Sequence, residues 1–151
     1  MDDYDRIERK IEIEAPATRV WDLVRRPGWY VNDGEITDQS VERRGDIEII
    51  RHPEYGEFAF RTVTLDAPRY AAFRWLIDAN DADSASTLVE FWIEPASEGA
   101  VLLKVAESGF ATLPESAEQR RSRFDDHSEG WTSELALAGR HLSRVGVDGG
   151  H

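Results

Sequence analysis

With 151 residues, 40% of them hydrophobic and 10% aromatic, the chain is long enough to bury one core of its own. The absence of cysteine excludes disulfides, thiolate nucleophiles and cysteine-based metal sites. A formal net charge of −12 repels phosphate backbones and anionic lipid, so nucleic acid and membrane surfaces are not expected partners.

Lysine occurs only as Lys10 and Lys104, and arginine supplies the remaining positive charge. No N-terminal apolar run reads as a signal peptide, and no stretch approaches the roughly 18 apolar residues of a membrane span. A cytoplasmic protein is therefore expected. One domain over residues 5–145 is expected, with 1–4 and 146–151 as flexible termini.

From Asp5 onward, Ile7, Arg9, Ile11 and Ile13 alternate with Arg6, Glu8, Lys10 and Glu12, the pattern of a half-buried strand. Ala15-Pro16 opens a helix with Val20, Trp21 and Val24 on one face, and Pro27-Gly28 ends it. Trp29-Tyr30-Val31 forms an aromatic patch before the turn at Asn32-Asp33-Gly34. Strands are expected at 36–41, 46–51, 57–65, 70–77, 86–94 and 101–107. Turn chemistry separates them at Arg44-Gly45, His52-Pro53-Glu54-Tyr55-Gly56, Asp66-Ala67-Pro68, Asn80-Asp81 and Ser97-Glu98-Gly99. With no crossover helices between them, these strands are antiparallel neighbours.

The last third enters a long helix after Pro114-Glu115-Ser116, with Phe124, Trp131, Leu135, Ala138, Leu142 and Val145 along one apolar face and Gly146 as its stop. A helix of about 30 residues is about 45 Å long and needs a broad surface to lie on. The fold class is therefore α+β, a curved antiparallel sheet of six to seven strands around one long C-terminal helix.

Strand parity places Phe58, Phe60, Phe73, Trp75, Phe91, Leu103, Val105 and Glu107 on the face that receives Trp131 and Leu135. These rings form either a filled aromatic core or the walls of a cavity, since a bent sheet and a straight helix diverge. Gly130, costing about 1 kcal/mol relative to alanine in mid-helix, suggests a close approach or a bend beside Trp131. Glu107 either faces the pocket or, at the strand end, reaches solvent or pairs with Arg123 or Arg61. His127, one helical turn before Trp131, is the histidine nearest the cavity mouth. Asp125, Asp126 and Glu129 point in different directions around the helix, so no metal site and no cofactor is expected. No phosphate loop, nucleophile elbow or His-Glu-x-x-His motif is present.

Ala15-Pro16-x4-Trp21, Pro27-Gly28-Trp29-Tyr30-x-Asn32-Asp33-Gly34, Pro68-Arg69-x3-Phe73-Arg74-Trp75, Thr87-Leu88-Val89-Glu90-Phe91, Glu107-Ser108-Gly109-Phe110 and Gly130-Trp131 follow one another in order. On these motifs the chain resembles the SRPBCC (START/Bet v 1-like) superfamily, in the branch of the activator of Hsp90 ATPase, from Ile7 to Leu142. The resemblance implies a helix-grip fold enclosing a cavity for apolar ligands. Similar proteins often carry asparagine near the position of His127.

Three functions compete. The first is binding of a small apolar or aromatic molecule by Trp29, Tyr30, Phe58, Phe60, Phe73, Trp75, Phe91, Glu107, Phe110, His127, Trp131 and Leu135. The second is a chaperone-contact module using an outward Trp92 and Leu88, with a homodimer also open. The third is a cyclase- or hydrolase-type enzyme with Glu107 as its acid or base, in company with His127 or Tyr30.

Overall fold

The computed structural model describes residues 5–30, 40–52 and 56–149. In chain order the elements are β1 (Arg6–Ile13), α1 (Ala17–Val24), β2 (Ser40–Arg44), β3 (Ile47–His52), β4 (Gly56–Asp66), β5 (Tyr70–Leu76), β6 (Ser86–Pro95), β7 (Val101–Ser108), a 3-10 turn at Phe110–Thr112 and α2 (Ala117–Gly149). The strands form one seven-stranded antiparallel sheet in the order β1-β7-β6-β5-β4-β3-β2. Each strand from β3 to β7 pairs with its predecessor, and β1 joins the far edge beside β7. The sheet is curved and α2 lies along it, which is the helix-grip arrangement.

The pairing explains why one face is aromatic. Phe60 lies opposite Trp75, Phe73 opposite Val89, and Phe91 opposite Val105, so the period-two pattern of each strand sums to one apolar surface. Phe60, Phe73 and Phe91 are fully buried there, each contributing about 1.5–3 kcal/mol of hydrophobic stabilisation. Between Thr62 and Thr64 the β4–β5 register slips, a bulge that bends the strand. On the opposite face Ile47, Ile49, Ala59 and Leu76 form a smaller second core.

Helix α1 buries Val20, Leu23 and Val24, with Trp21 half-buried at the core margin. After it, Gly28 adopts φ +71°, and a Cβ there would stand 2.7 Å from Ile50 and 2.8 Å from Phe60. Only glycine fits both the backbone and the space. The turn it makes drops Trp29 and Tyr30 into the core, at 2% and 5% exposure.

Ser116 caps α2. Its Oγ accepts from the Gln119 amide at 3.1 Å, and the Gln119 side-chain oxygen accepts from the Ser116 amide at 3.0 Å, a reciprocal capping box. The helix runs 33 residues, about 50 Å. It buries Trp131, Leu135, Leu137, Ala138 and Leu142. It rests on β1, where Arg9 Nε donates to Thr132 Oγ1 at 3.2 Å.

Three expectations change. Helix α2 continues through Gly146 to Gly149, because an isolated glycine weakens a helix without ending it. A Cβ on Gly130 would meet nothing within 4 Å, whereas one on Gly139 would stand 3.0 Å from Ile11 Cδ1. The close approach of helix to sheet is therefore at Gly139, against β1, further along α2 than the expected place. The second strand is seen at Ser40–Arg44 and runs on to the Gly45 turn; residues 36–39, Asn32-Asp33-Gly34 and Pro53-Glu54-Tyr55 lie outside the described residues, as does the side chain of Val145. Among the described residues no helix is long and apolar enough to cross a membrane.

Candidate functional site

Glu107 is the polar centre of the inner face. Strand β7 places it opposite Val89 on one side and Ile7 on the other, so it points into the core from an apolar row. It is 0% exposed. A carboxylate without partners in such a place costs several kcal/mol, and three donors surround this one. Thr87 Oγ1 donates to Oε2 at 2.5 Å, and Trp131 Nε1 donates to Oε1 at 2.8 Å. His127 Nδ1 lies 2.8 Å from Oε1 and 3.0 Å from Oε2. His127 and Trp131 are four residues apart on α2, so one helix face delivers both to the same carboxylate. Neither Arg123 nor Arg61 pairs with it: Arg123 is held by Glu115 at 2.6 and 3.0 Å, and Arg61 by Asp46 at 2.8 Å.

The Glu107 clamp fixes the imidazole of His127 from one edge, and aromatic rings fix it from the sides. Trp75 stacks on it with centroids 4.6 Å apart and planes 19° from parallel, and Phe110 meets it edge-on at 5.5 Å. With Nδ1 committed to Glu107, Nε2 is the nitrogen left for chemistry. His127, 19% exposed, lines a cleft of about 150 Å³ together with Phe58, Trp75, Thr87 and Arg123, where β4, β5 and β6 end against the N-terminal half of α2. A second, open hollow on the other side of Arg123 and His127 is lined by Glu115, Gln119, Ser122 and Asp126.

Apart from Glu107, the structure divides the candidate residues into two groups. Phe58, Trp75 and His127 are half-buried and meet the cleft. Trp29, Tyr30, Phe60, Phe73, Phe91, Phe110, Trp131 and Leu135 are buried in the main core. There the rings pack on one another: Tyr30 lies 4.7 Å from Trp131, 5.3 Å from Trp75 and 5.6 Å from Phe60, and Trp29 lies 5.5 Å from Phe91. The Tyr30 hydroxyl is buried without a hydrogen-bond partner among the described residues. Burial first, and then the nearby Glu107 charge, push its pKa well above the usual phenol value.

Thr87 was not among the expected site residues, yet it binds Glu107 and lines the cleft. Its signal was present: it extends the inward series Val89, Phe91, Ile93 of β6 by one step, a polar residue on an apolar parity. Glu107 is 0% exposed, so of the pair it is His127 that meets the cleft, with Glu107 behind it. Among the described residues no three His, Asp or Glu side chains converge as metal ligands. On the outer face Trp92 packs at 5.6 Å on Tyr70, whose hydroxyl donates to Glu90 at 2.6 Å.

No protein-family model and no curated protein sequence matches the chain. Solved structures do. Protein MLL2253 from Mesorhizobium loti superposes with TM-score 0.66 at 17% identity, covering 92% of this chain and 97% of that one. An Aha1 dimer from Colwellia psychrerythraea gives 0.65 at 14%, covering 91% and 96%. DynU16, a putative protein in the dynemicin biosynthetic locus, gives 0.65 at 16%, covering 91% of this chain but 47% of its own. At these identities the likeness establishes the fold alone, a helix-grip fold of the Bet v 1-like kind.

Proposed function

We propose that the protein binds a small aromatic molecule in the cleft between the strand ends of β4–β6 and the first half of α2, within the branch related to the Hsp90 ATPase activators. The observation that carries this reading is the His127 imidazole. It is held rigidly by a buried carboxylate and an indole at the wall of an opening, when the same helix position could have been filled by another core residue. Preorganising a polar group beside aromatic walls is what small-molecule sites do. The size of the cleft narrows the guest: an apolar cavity of about 150 Å³ accommodates one benzene-sized ring, so a single ring suits it and a lipid does not. The buried residues Phe60, Phe73 and Phe91 then support the walls and do not touch the guest.

Substitution separates the two roles. Trp75→Ala is expected to weaken binding of a single-ring aromatic about tenfold or more, from lost stacking of about 1–1.5 kcal/mol and lost contact area. Phe73→Ala is expected to cost about 3–5 kcal/mol of stability and to leave the affinity of the remaining folded protein nearly unchanged. Calorimetric titration of both variants checks this, and equal affinity losses would contradict it.

A second reading, contact with a partner protein, is favoured by the outer face. Lys10 lies directly opposite Lys104, which lies opposite Trp92. These three and Arg6 line a groove of about 410 Å³. Both lysines of a −12 chain on one rung suit an acidic segment of a chaperone or of a second copy. Unchanged capture of a chaperone middle domain by Trp92→Glu would exclude this groove.

A further inference from the structure

Building on the cleft reading, we propose that its ligands are hydroxyaromatic compounds, phenols, and that Nε2 of His127 accepts the phenolic O–H. The argument is one of proton inventory. The indole N–H of Trp131 donates to Oε1 of Glu107 at 2.8 Å and the hydroxyl of Thr87 to Oε2 at 2.5 Å, and His127 Nδ1 lies 2.8 Å from Oε1, where a carboxylate has lone pairs and no proton to give. Nδ1 therefore carries the proton of the neutral ring, and Nε2 carries the lone pair. A group seated against Trp75 and Phe58 and meeting Nε2 is thus required to donate. An aromatic ring with an O–H supplies the surface for the indole and the proton for the imidazole at once.

The charges around the cleft support the same ligand after proton transfer. When the phenolic proton passes to Nε2, the oxygen keeps the O–H electron pair, and the imidazolium faces the Glu107 carboxyl group across Nδ1. No further proton has to move. The Arg123 guanidinium lines the same cleft and is the cation available to the phenolate oxygen, with Glu115 fixing its plane. Glu57 also lines the cleft, and Asp126 lies at its outer side. A hydrocarbon or ether of the same size fills the ring space and leaves Nε2 desolvated and unpaired, which selects against it by about tenfold.

The probes are 4-nitrophenol and nitrobenzene, titrated into the full chain and into His127→Gln. Gln retains a donor for Glu107 and loses the imidazole acceptor. Expected is at least tenfold tighter binding of 4-nitrophenol than of nitrobenzene, with the phenolate absorption band appearing at a pH where the free probe is protonated. In His127→Gln the two affinities should converge and the band should disappear. Equal binding of both probes with no phenolate band overturns the proton-acceptor role while leaving the aromatic site intact. Binding of neither probe overturns both. Should His127→Gln fail to fold, the nitrogen-15 shifts of His127 in the native chain decide: a protonated Nδ1 and a bare Nε2 in the neutral ring are expected, and the opposite tautomer contradicts the proposal.

Discussion

Glu107 is where a single side chain decides the most. Replacing it with alanine takes the acceptor away from the Trp131 indole N–H, the Thr87 hydroxyl and His127 Nδ1, two of which belong to buried residues. Removing one member of a buried charged cluster costs about 3–5 kcal/mol, and that loss is expected for Glu107→Ala in denaturant unfolding. Glu107→Gln keeps the shape and one acceptor oxygen, so about 1–3 kcal/mol is expected. Thr87→Val leaves a charged carboxylate short of one donor and should fall within the same 1–3 kcal/mol. The tyrosines give a pH prediction. Tyr30 is raised by burial and by Glu107, and Tyr70 is raised to about 12 by burial and by its bond to Glu90. Folded-state values above the unfolded value mean that the stability these phenols contribute is complete below about pH 10 and is lost as pH rises through the folded values. Unfolding free energy should therefore fall on moving from pH 9 to pH 12, and Tyr30 should ionise only with unfolding. A spectrophotometric titration showing all four tyrosines ionising together near pH 10 would contradict this.

Among the elements, α2 and the loop after α1 carry opposite lessons about glycine. Gly130 has open space where a Cβ would go, so Gly130→Ala should stabilise the protein by about 1 kcal/mol through helix propensity alone. Gly28→Ala should destabilise it by about 2–4 kcal/mol, because the residue would carry a positive φ and drive into Ile50 and Phe60. Thermal or denaturant unfolding of the two variants checks both signs. The same pair shows where sequence reading succeeds. The order of strands, their inward residues and the apolar stripe of α2 follow from periodicities of 2 and 3.6, which a chain displays on its own. What a glycine is for depends on which surface comes to face it, and that is a tertiary fact. Helix spacing alone drew attention to Gly130, while the tight contact belongs to Gly139 against Ile11 on a strand more than 120 residues away in sequence. The end of α2 differs from the expected one because an isolated glycine such as Gly146 weakens a helix without ending it.

At the scale of the molecule, a sheet of seven strands is gripped by one helix, and the question is how much of the space between them is filled. Most of it is: eight of the expected ligand-facing side chains pack into the core. Among the described residues an opening remains at the end where β4, β5 and β6 meet the first turns of α2, and it is walled by Phe58, Trp75, Thr87, Arg123 and His127. Parity predicted that Glu107 points inward and helix spacing predicted that His127 lies near the mouth. That the two would bond, with Thr87 and Trp131 completing the clamp, depended on the axial placement of α2 along the sheet, which no local pattern encodes. The most direct test of the account is chemical-shift mapping of the full chain with single-ring aromatics, phenols included. Perturbations centred on the side chains of Trp75, Phe58, Thr87 and His127, with Phe73 and Phe91 unmoved, are the predicted result; saturating additions of every such compound that leave Trp75 and His127 unshifted would contradict it.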